Sequence, residues 1–200
     1  MLTIDQHGQV LNPRIRVDIK PNIERGQLRQ VSGIIVHQTG GSTAESALNS
    51  YAKPQAKGTH FLIDKDGTIY QTASMFKQTI HVGPLRARCL AEMRCTPAEF
   101  KALKKHRPTE EHNREKKKPV TDRYPANHDS VGIELVGQAF PLNETDSDKR
   151  TYEAVTKEQS DSFQWLLLEL RMTLGVPLTE VFRHPTVSRK NKTEAATATW

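Results

Sequence analysis

The run Gly33-Ile34-Ile35-Val36-His37-Gln38-Thr39-Gly40-Gly41 constrains this chain most. Its apolar, mostly β-branched stretch is short and unbroken, which reads as a buried β-strand. Gly40 and Gly41 end it, and Ser42 or Thr43 can cap a helix over residues 44–51. Pro54 and Gly58 mark the exit loop. An imidazole thus stands at the end of a strand, followed by two glycines.

A second strand, Thr59 to Ile63, is joined to a return strand, Thr68 to Gln71, through Asp64-Lys65-Asp66-Gly67. Asp and Gly tolerate the positive φ of a tight turn, so this unit is a hairpin. Gln78 to Gly83 is a short strand running into a loop, and Ser130 to Gly137 is a core strand with one acid, Glu134, in its middle. Thr156 and Gln159 form a capping box for a helix to Leu174, with Phe163, Leu166, Leu167, Leu170 and Leu174 as its apolar face. Gly175 and Pro177 stop that helix, and a last strand near Val181-Phe182 delivers His184.

Between Pro84 and Ala126 the character changes. Thr96-Pro97-Ala98-Glu99 opens a helix to about Lys105. Residues 106–126 read as an exposed, partly flexible loop, and residues 1–30, with Pro13 and Pro21, as an N-terminal arm packed over the domain. Asn143 to Arg150 is a further polar loop. The whole is one domain of 200 residues with a single core.

The formal net charge of +6 suits either an anionic partner or plain solubility, and much of the excess lies between Lys101 and Lys118. No stretch of 18 apolar residues exists, so no transmembrane helix is expected. The start, Met-Leu-Thr-Ile-Asp-Gln-His-Gly, has no basic region followed by an apolar one. Synthesis in a bacterial cytoplasm without a signal peptide is the expectation. The two cysteines, Cys89 and Cys95, make no zinc knuckle; they close a small disulfide loop or remain thiols, depending on the compartment.

The tail from Phe182 to Glu194 combines His184, Lys192 and Glu194 in a loop punctuated by Pro185 and Asn191. Together with His37, it offers two imidazoles and a carboxylate. Those are good donors for zinc, and three of them leave a fourth position for water, the layout of a catalytic site. His184 and Glu194 are ten residues apart, so only a folded-back loop brings them together.

Four stretches in order carry a resemblance: Ile-Ile-Val-His-Gln-Thr, then Thr-His-Phe-Leu-Ile-Asp-Lys-Asp-Gly-Thr-Ile-Tyr-Gln, then Asn-His-Asp-Ser-Val-Gly-Ile-Glu-Leu-Val-Gly, then His184 to Glu194. Together they resemble the type 2 N-acetylmuramoyl-L-alanine amidases, whose superfamily includes bacteriophage amidases and peptidoglycan-recognition proteins. The resemblance implies an α/β fold with a mixed central β-sheet flanked by helices and a zinc cleft at one edge. It also implies His37, His184 and Glu194 as zinc ligands, with Glu194 where the family usually has Asp or Cys. Glu134 matches the family's proton shuttle and Lys192 an active-site lysine. His81 falls at the rim of the cleft, and with Thr39 is expected to touch substrate. His60 matches a histidine that is no ligand and reads as structural. His7, His106, His112 and His128 read as solvated.

The activity so implied is zinc-dependent hydrolysis of the amide between N-acetylmuramic acid and L-alanine. Without a signal peptide, phage lysis, muropeptide recycling and delivery into a rival's periplasm all fit. The expectation taken forward is an antibacterial effector acting in the periplasm, with an immunity protein as partner. The segment 84–126 reads as an insertion bordering the cleft. Two alternatives stay open. One is a zinc-free module that binds muropeptides without cutting them; the other is a nucleic-acid-binding protein using the basic segment, against which stand the missing motif and the few aromatics among the charges.

Overall fold

The computed structural model describes residues 1–105 and 107–200; His106, read above as solvated, lies outside the described residues. The N-terminal thirty residues do more than cover the domain. Strand β1 (Ile15–Val17) pairs in parallel with Ile69–Gln71 and forms one edge of the main sheet. Strand β2 (Glu24–Gln27) belongs to a separate two-stranded ribbon.

Strand β3 (Gly33–Gly40) has Ile34, Ile35 and Val36 fully buried. It leads into helix α1 (Ala44–Tyr51), capped by the Thr43 hydroxyl, which accepts the Ser46 N–H at 3.2 Å. Strands β4 (Phe61–Ile63) and β5 (Ile69–Gln71) form the antiparallel hairpin, with Gly67 at φ +83° closing its turn. Strand β6 (Lys77–Thr79) pairs with β2.

Three short helices follow: α2 (Arg88–Ala91), α3 (Pro97–Leu103) and α4 (Pro108–Glu115). A disulfide joins Cys89 in the first turn of α2 to Cys95 in the link before α3. The Thr96–Glu99 capping box of α3 is formed. Helix α4 corrects the expectation of a loop over 106–126. Pro108 sits in its first turn, where no N–H is needed, and Glu110 and Glu111 complement the positive end of the helix dipole. Glu111 then turns inward and accepts the Ala87 N–H at 2.7 Å. Nearly every residue of α4 is polar, so no apolar stripe announced it.

Strand β7 (Ser130–Phe140) is the longest, and β8 (Thr151–Tyr152) pairs with its far end. Helix α5 (Lys157–Leu174) starts at the Thr156–Gln159 capping box and ends at Gly175, whose φ of +69° is the left-handed cap that glycine adopts without strain. Strand β9 (Val181–Arg183) and helix α6 (His184–Val187) complete the chain's regular elements. No described helix is long and apolar enough to cross a membrane.

The main sheet is mixed, with spatial order β1-β5-β4-β7-β3-β9 and β8 attached to β7. β4, β3 and β9 each have a parallel neighbour among the central strands: β4 beside β7, β7 beside β3, and β3 beside β9. Side chains alternate faces along each strand. Ile34 and Val36 of β3, with Val131, Ile133 and Leu135 of β7, share a core with Phe163, Leu166, Leu167 and Leu170 of α5. Each of those α5 side chains, taken fully out of water, contributes about 1.5–3 kcal/mol. The other face carries Ile35 and His37 from β3 and Gly132 and Glu134 from β7. There the sheet is not closed over by a long helix, and it is there that the polar groups collect.

Candidate active site

His37 and Glu134 are register partners on the neighbouring parallel strands β3 and β7. Both line a cavity of about 420 Å³ that also receives Tyr51 from the end of α1, Thr59, His81, Tyr152, His184, Lys190 and Glu194. His184 enters because β9 lies beside β3 and ends directly before it. Glu194 returns through the turns that follow residue 188: its own N–H bonds Asn191 O at 3.1 Å, and the Asn191 side chain donates to Arg150 O.

The folded-back loop brings the three donors together. Ligand atoms of His37, His184 and Glu194 lie within 4.8 Å of one another, and all three residues are buried. Glu194 Oε1 is 2.9 Å from His184 Nδ1 and 3.5 Å from His37 Nδ1. His184 Nε2 lies 2.9 Å from the Val82 carbonyl oxygen. A carbonyl only accepts, so Nε2 carries the hydrogen and Nδ1 is the atom turned toward Glu194. Two ring nitrogens and a carboxylate oxygen, crowded in a buried spot, repel unless a proton or a cation stands among them. Their chemistry is the donor set of zinc, and the hydrogen bond from His184 to a backbone carbonyl is the support that a ligating imidazole needs.

Ionisation fits the same reading. Burial, helped by the neighbouring His184, lowers His37 to about 4, so its ring is neutral at pH 7. For Glu194, burial alone would raise the pKa; the His184 and His37 rings beside it outweigh that and hold the group at about 2. Glu134 is pushed the other way. Desolvation raises it to about 7, with the Glu194 charge adding and the Tyr51 hydrogen bond opposing. Tyr51 donates its phenolic hydrogen to Glu134 Oε2 and also lies 3.4 Å from the Thr59 hydroxyl. Burial beside Glu134 raises the Tyr51 pKa well above its usual value, and burial near Glu194 and Glu134 raises that of Tyr152 to about 12, so both phenols keep their hydrogens.

The remaining expected residues fall less uniformly. Lys192 is exposed and does not line this cavity; it lines a larger groove of about 810 Å³ on the other side of the loop, with Arg86, Tyr124 and Arg189. The turns after residue 188 are irregular, and the lysine on the cavity is Lys190, its side chain exposed at the wall. Thr39 is also off the cavity wall. Its hydroxyl donates to Gly41 O at 2.9 Å and accepts the Gly137 N–H at 3.1 Å, tying the end of β3 to β7. His81 does reach the cavity, with Nδ1 3.0 Å from His37 Nε2. His60 is fully buried, its Nε2 bonded to Lys77 O at 2.9 Å and its Nδ1 accepting the Gly132 N–H at 3.1 Å. His112, read as solvated, accepts the Leu85 N–H at Nδ1. Tyr51, Tyr152 and Lys190 went unnoticed in the sequence: each depends on how a helix end or an irregular loop packs.

A family profile described as N-acetylmuramoyl-L-alanine amidase (Amidase_2) matches residues 27–196. The chain belongs to the N-acetylmuramoyl-L-alanine amidase family. Membership sets the reaction class, amide hydrolysis in peptidoglycan. The amidase fold is shared with solved structures of low sequence identity. A selenomethionine derivative of AmpD aligns at TM-score 0.57 and 17% identity, over 96% of this chain and 91% of that one. The amidase LysC from Clostridium intestinale URNW aligns at 0.51 and 17%, over 90% and 87%. The catalytic domain of XlyA aligns at 0.51 and 19%, over 88% and 87%. No curated protein sequence matches the chain.

Proposed function

We propose that this amidase-family chain cleaves the bond between N-acetylmuramic acid and L-alanine with zinc held by His37, His184 and Glu194. The observation that carries the reading is the convergence of those donors next to a carboxylate, Glu134, whose pKa of about 7 matches neutral conditions. Zinc, when bound, acidifies water and polarises a carbonyl oxygen. Glu134 takes the proton of the attacking water at a carboxylate oxygen and returns it to the leaving amine. Tyr51 holds that carboxylate in place through its phenol. A cation at the cavity wall stabilises the negative charge growing on the scissile carbonyl oxygen, and we assign that task to Lys190 in place of Lys192 because Lys190 is the one that faces the cavity.

The test is metal content and activity measured together. Activity should vanish on chelation and return with one equivalent of zinc. Glu194→Ala should lose metal, since it removes one of three donors. Full zinc occupancy in that variant would remove Glu194 from the ligand set.

We further propose that residues 1–200 act as one catalytic unit, with 1–30 as its arm and 84–126 as an insertion, and that it works in a bacterial periplasm as an antibacterial effector countered by an immunity protein. Support comes from the Cys89–Cys95 pair, which suits an oxidising compartment. Directed to the periplasm of a test bacterium, the wild-type chain should cause lysis while Glu134→Gln does not. Equal survival of both would count against this role.

A further inference from the structure

Behind the three donors lies a second, connected set of groups, of which His81 reaches the cavity. Asn127 Oδ1 accepts two backbone N–H groups, from His81 at 2.9 Å and Val82 at 2.8 Å. One side-chain oxygen therefore pins two successive residues. The first of them, His81, touches His37 through its ring; the second, Val82, touches His184 through its carbonyl oxygen.

The direction of each hydrogen bond can be worked out from the fixed acceptors. Ser130 Oγ is 2.7 Å from the Ala126 carbonyl oxygen, so the serine hydrogen goes there. Ser130 Oγ is also 3.2 Å from His81 Nε2 and, its hydrogen already used, accepts from that nitrogen. A neutral His81 with its hydrogen on Nε2 has a bare Nδ1. That atom lies 3.0 Å from His37 Nε2, so His37 is the donor and its own Nδ1 is left bare, turned toward Glu194. At His184 the same result follows in one step from the Val82 carbonyl. Space has been kept for this arrangement as well. A Cβ at Gly132 would stand 2.8 Å from His81 Nδ1, so a side chain there would drive the ring off His37.

We propose that the His81-Val82 dipeptide, clamped by Asn127 and oriented by Ser130, is a positioning device that turns the bare Nδ1 atoms of both His37 and His184 to the metal position. This rests on the zinc reading above. It also changes the role expected for His81 from touching substrate to holding a ligand.

Removing an outer partner of a ligating histidine typically lowers metal affinity 10–100-fold. His81→Ala and Asn127→Leu should each weaken zinc binding by about that factor in competition with a chromophoric chelator. His81→Asn, which keeps an acceptor near the Nδ1 position, and Asn127→Asp, which keeps a side-chain oxygen to accept both N–H groups, should recover most of the loss. A merely structural role would lower thermal stability in all four without this split. Independently of zinc, long-range ¹H–¹⁵N spectra of the metal-free wild-type chain should show the His37 hydrogen on Nε2. A hydrogen on His37 Nδ1, or zinc affinity within twofold of wild type in both His81→Ala and Asn127→Leu, would overturn the proposal. If the wild-type chain takes up no zinc at all, the zinc reading falls, while the ¹⁵N spectrum still tests the relay. The same spectrum serves if the variants do not fold.

Discussion

His37 and Glu134 stand opposite each other in register on adjacent parallel strands, so the residue we assign to the metal and the residue we assign to the water are held by the same backbone ladder. Neither sits on a loop. That placement separates their roles in a way mutation can read. Glu134→Gln keeps the shape and can still accept from Tyr51, but it cannot take a proton. Turnover should fall about 100-fold or more, the usual contribution of general-base catalysis, with zinc content unchanged. Loss of zinc from Glu134→Gln would mean that this carboxylate is a ligand.

The Glu134–Tyr51 contact sets a pH dependence. A protonated Glu134 cannot act as base, so activity should rise with pH through about 7. The Tyr51 hydrogen bond stabilises the carboxylate and lowers that value. Tyr51→Phe should therefore move the acid limb of the kcat/KM profile to higher pH. A limb that stays in place, or moves down, would separate Tyr51 from the base.

Lys190 and Lys192 differ by two positions and face different cavities. Lys190→Ala should cost about 100-fold in kcat, the scale of losing one donor to a developing oxyanion. Lys192→Ala should stay close to wild type, as surface substitutions do. Steady-state kinetics on the pair decides it, and the reverse order would return the role to Lys192.

Much of this could be read from residue order, and the reasons differ by element. β3 and the β4–β5 hairpin were legible because β-branched runs and an Asp-Gly turn carry local preferences. α5 announced itself with a capping box and an apolar stripe. His37, His184 and Glu134 were legible because each lies in one of the ordered motifs that carry the family resemblance. α4 was hidden, since it is polar nearly throughout and packs through polar side chains, the buried acids Glu111 and Glu115 and the ring of His112. Lys190 was missed in favour of Lys192 because an irregular turn has no period from which to read its facing. Asn127 and Tyr51 matter through contacts with residues far away in sequence, and no local pattern encodes those.

The Cys89–Cys95 bond closes a short loop, six residues apart in sequence. Loop-closure entropy gives such a bridge about 2 kcal/mol. Denaturant unfolding of Cys89→Ser/Cys95→Ser should show a loss of that order, while zinc affinity holds because neither sulfur lines the metal cavity. An unchanged midpoint in oxidised protein would mean the bridge does not hold this segment.

The most direct measurement is mass spectrometry of purified peptidoglycan digested with the wild-type chain, with and without a chelator. The account predicts stem peptides carrying a new free L-alanine amine beside intact glycan strands, and no such peptides when zinc is removed. Cut glycosidic bonds, cuts inside the stem peptide, or the same products in the presence of chelator would contradict it.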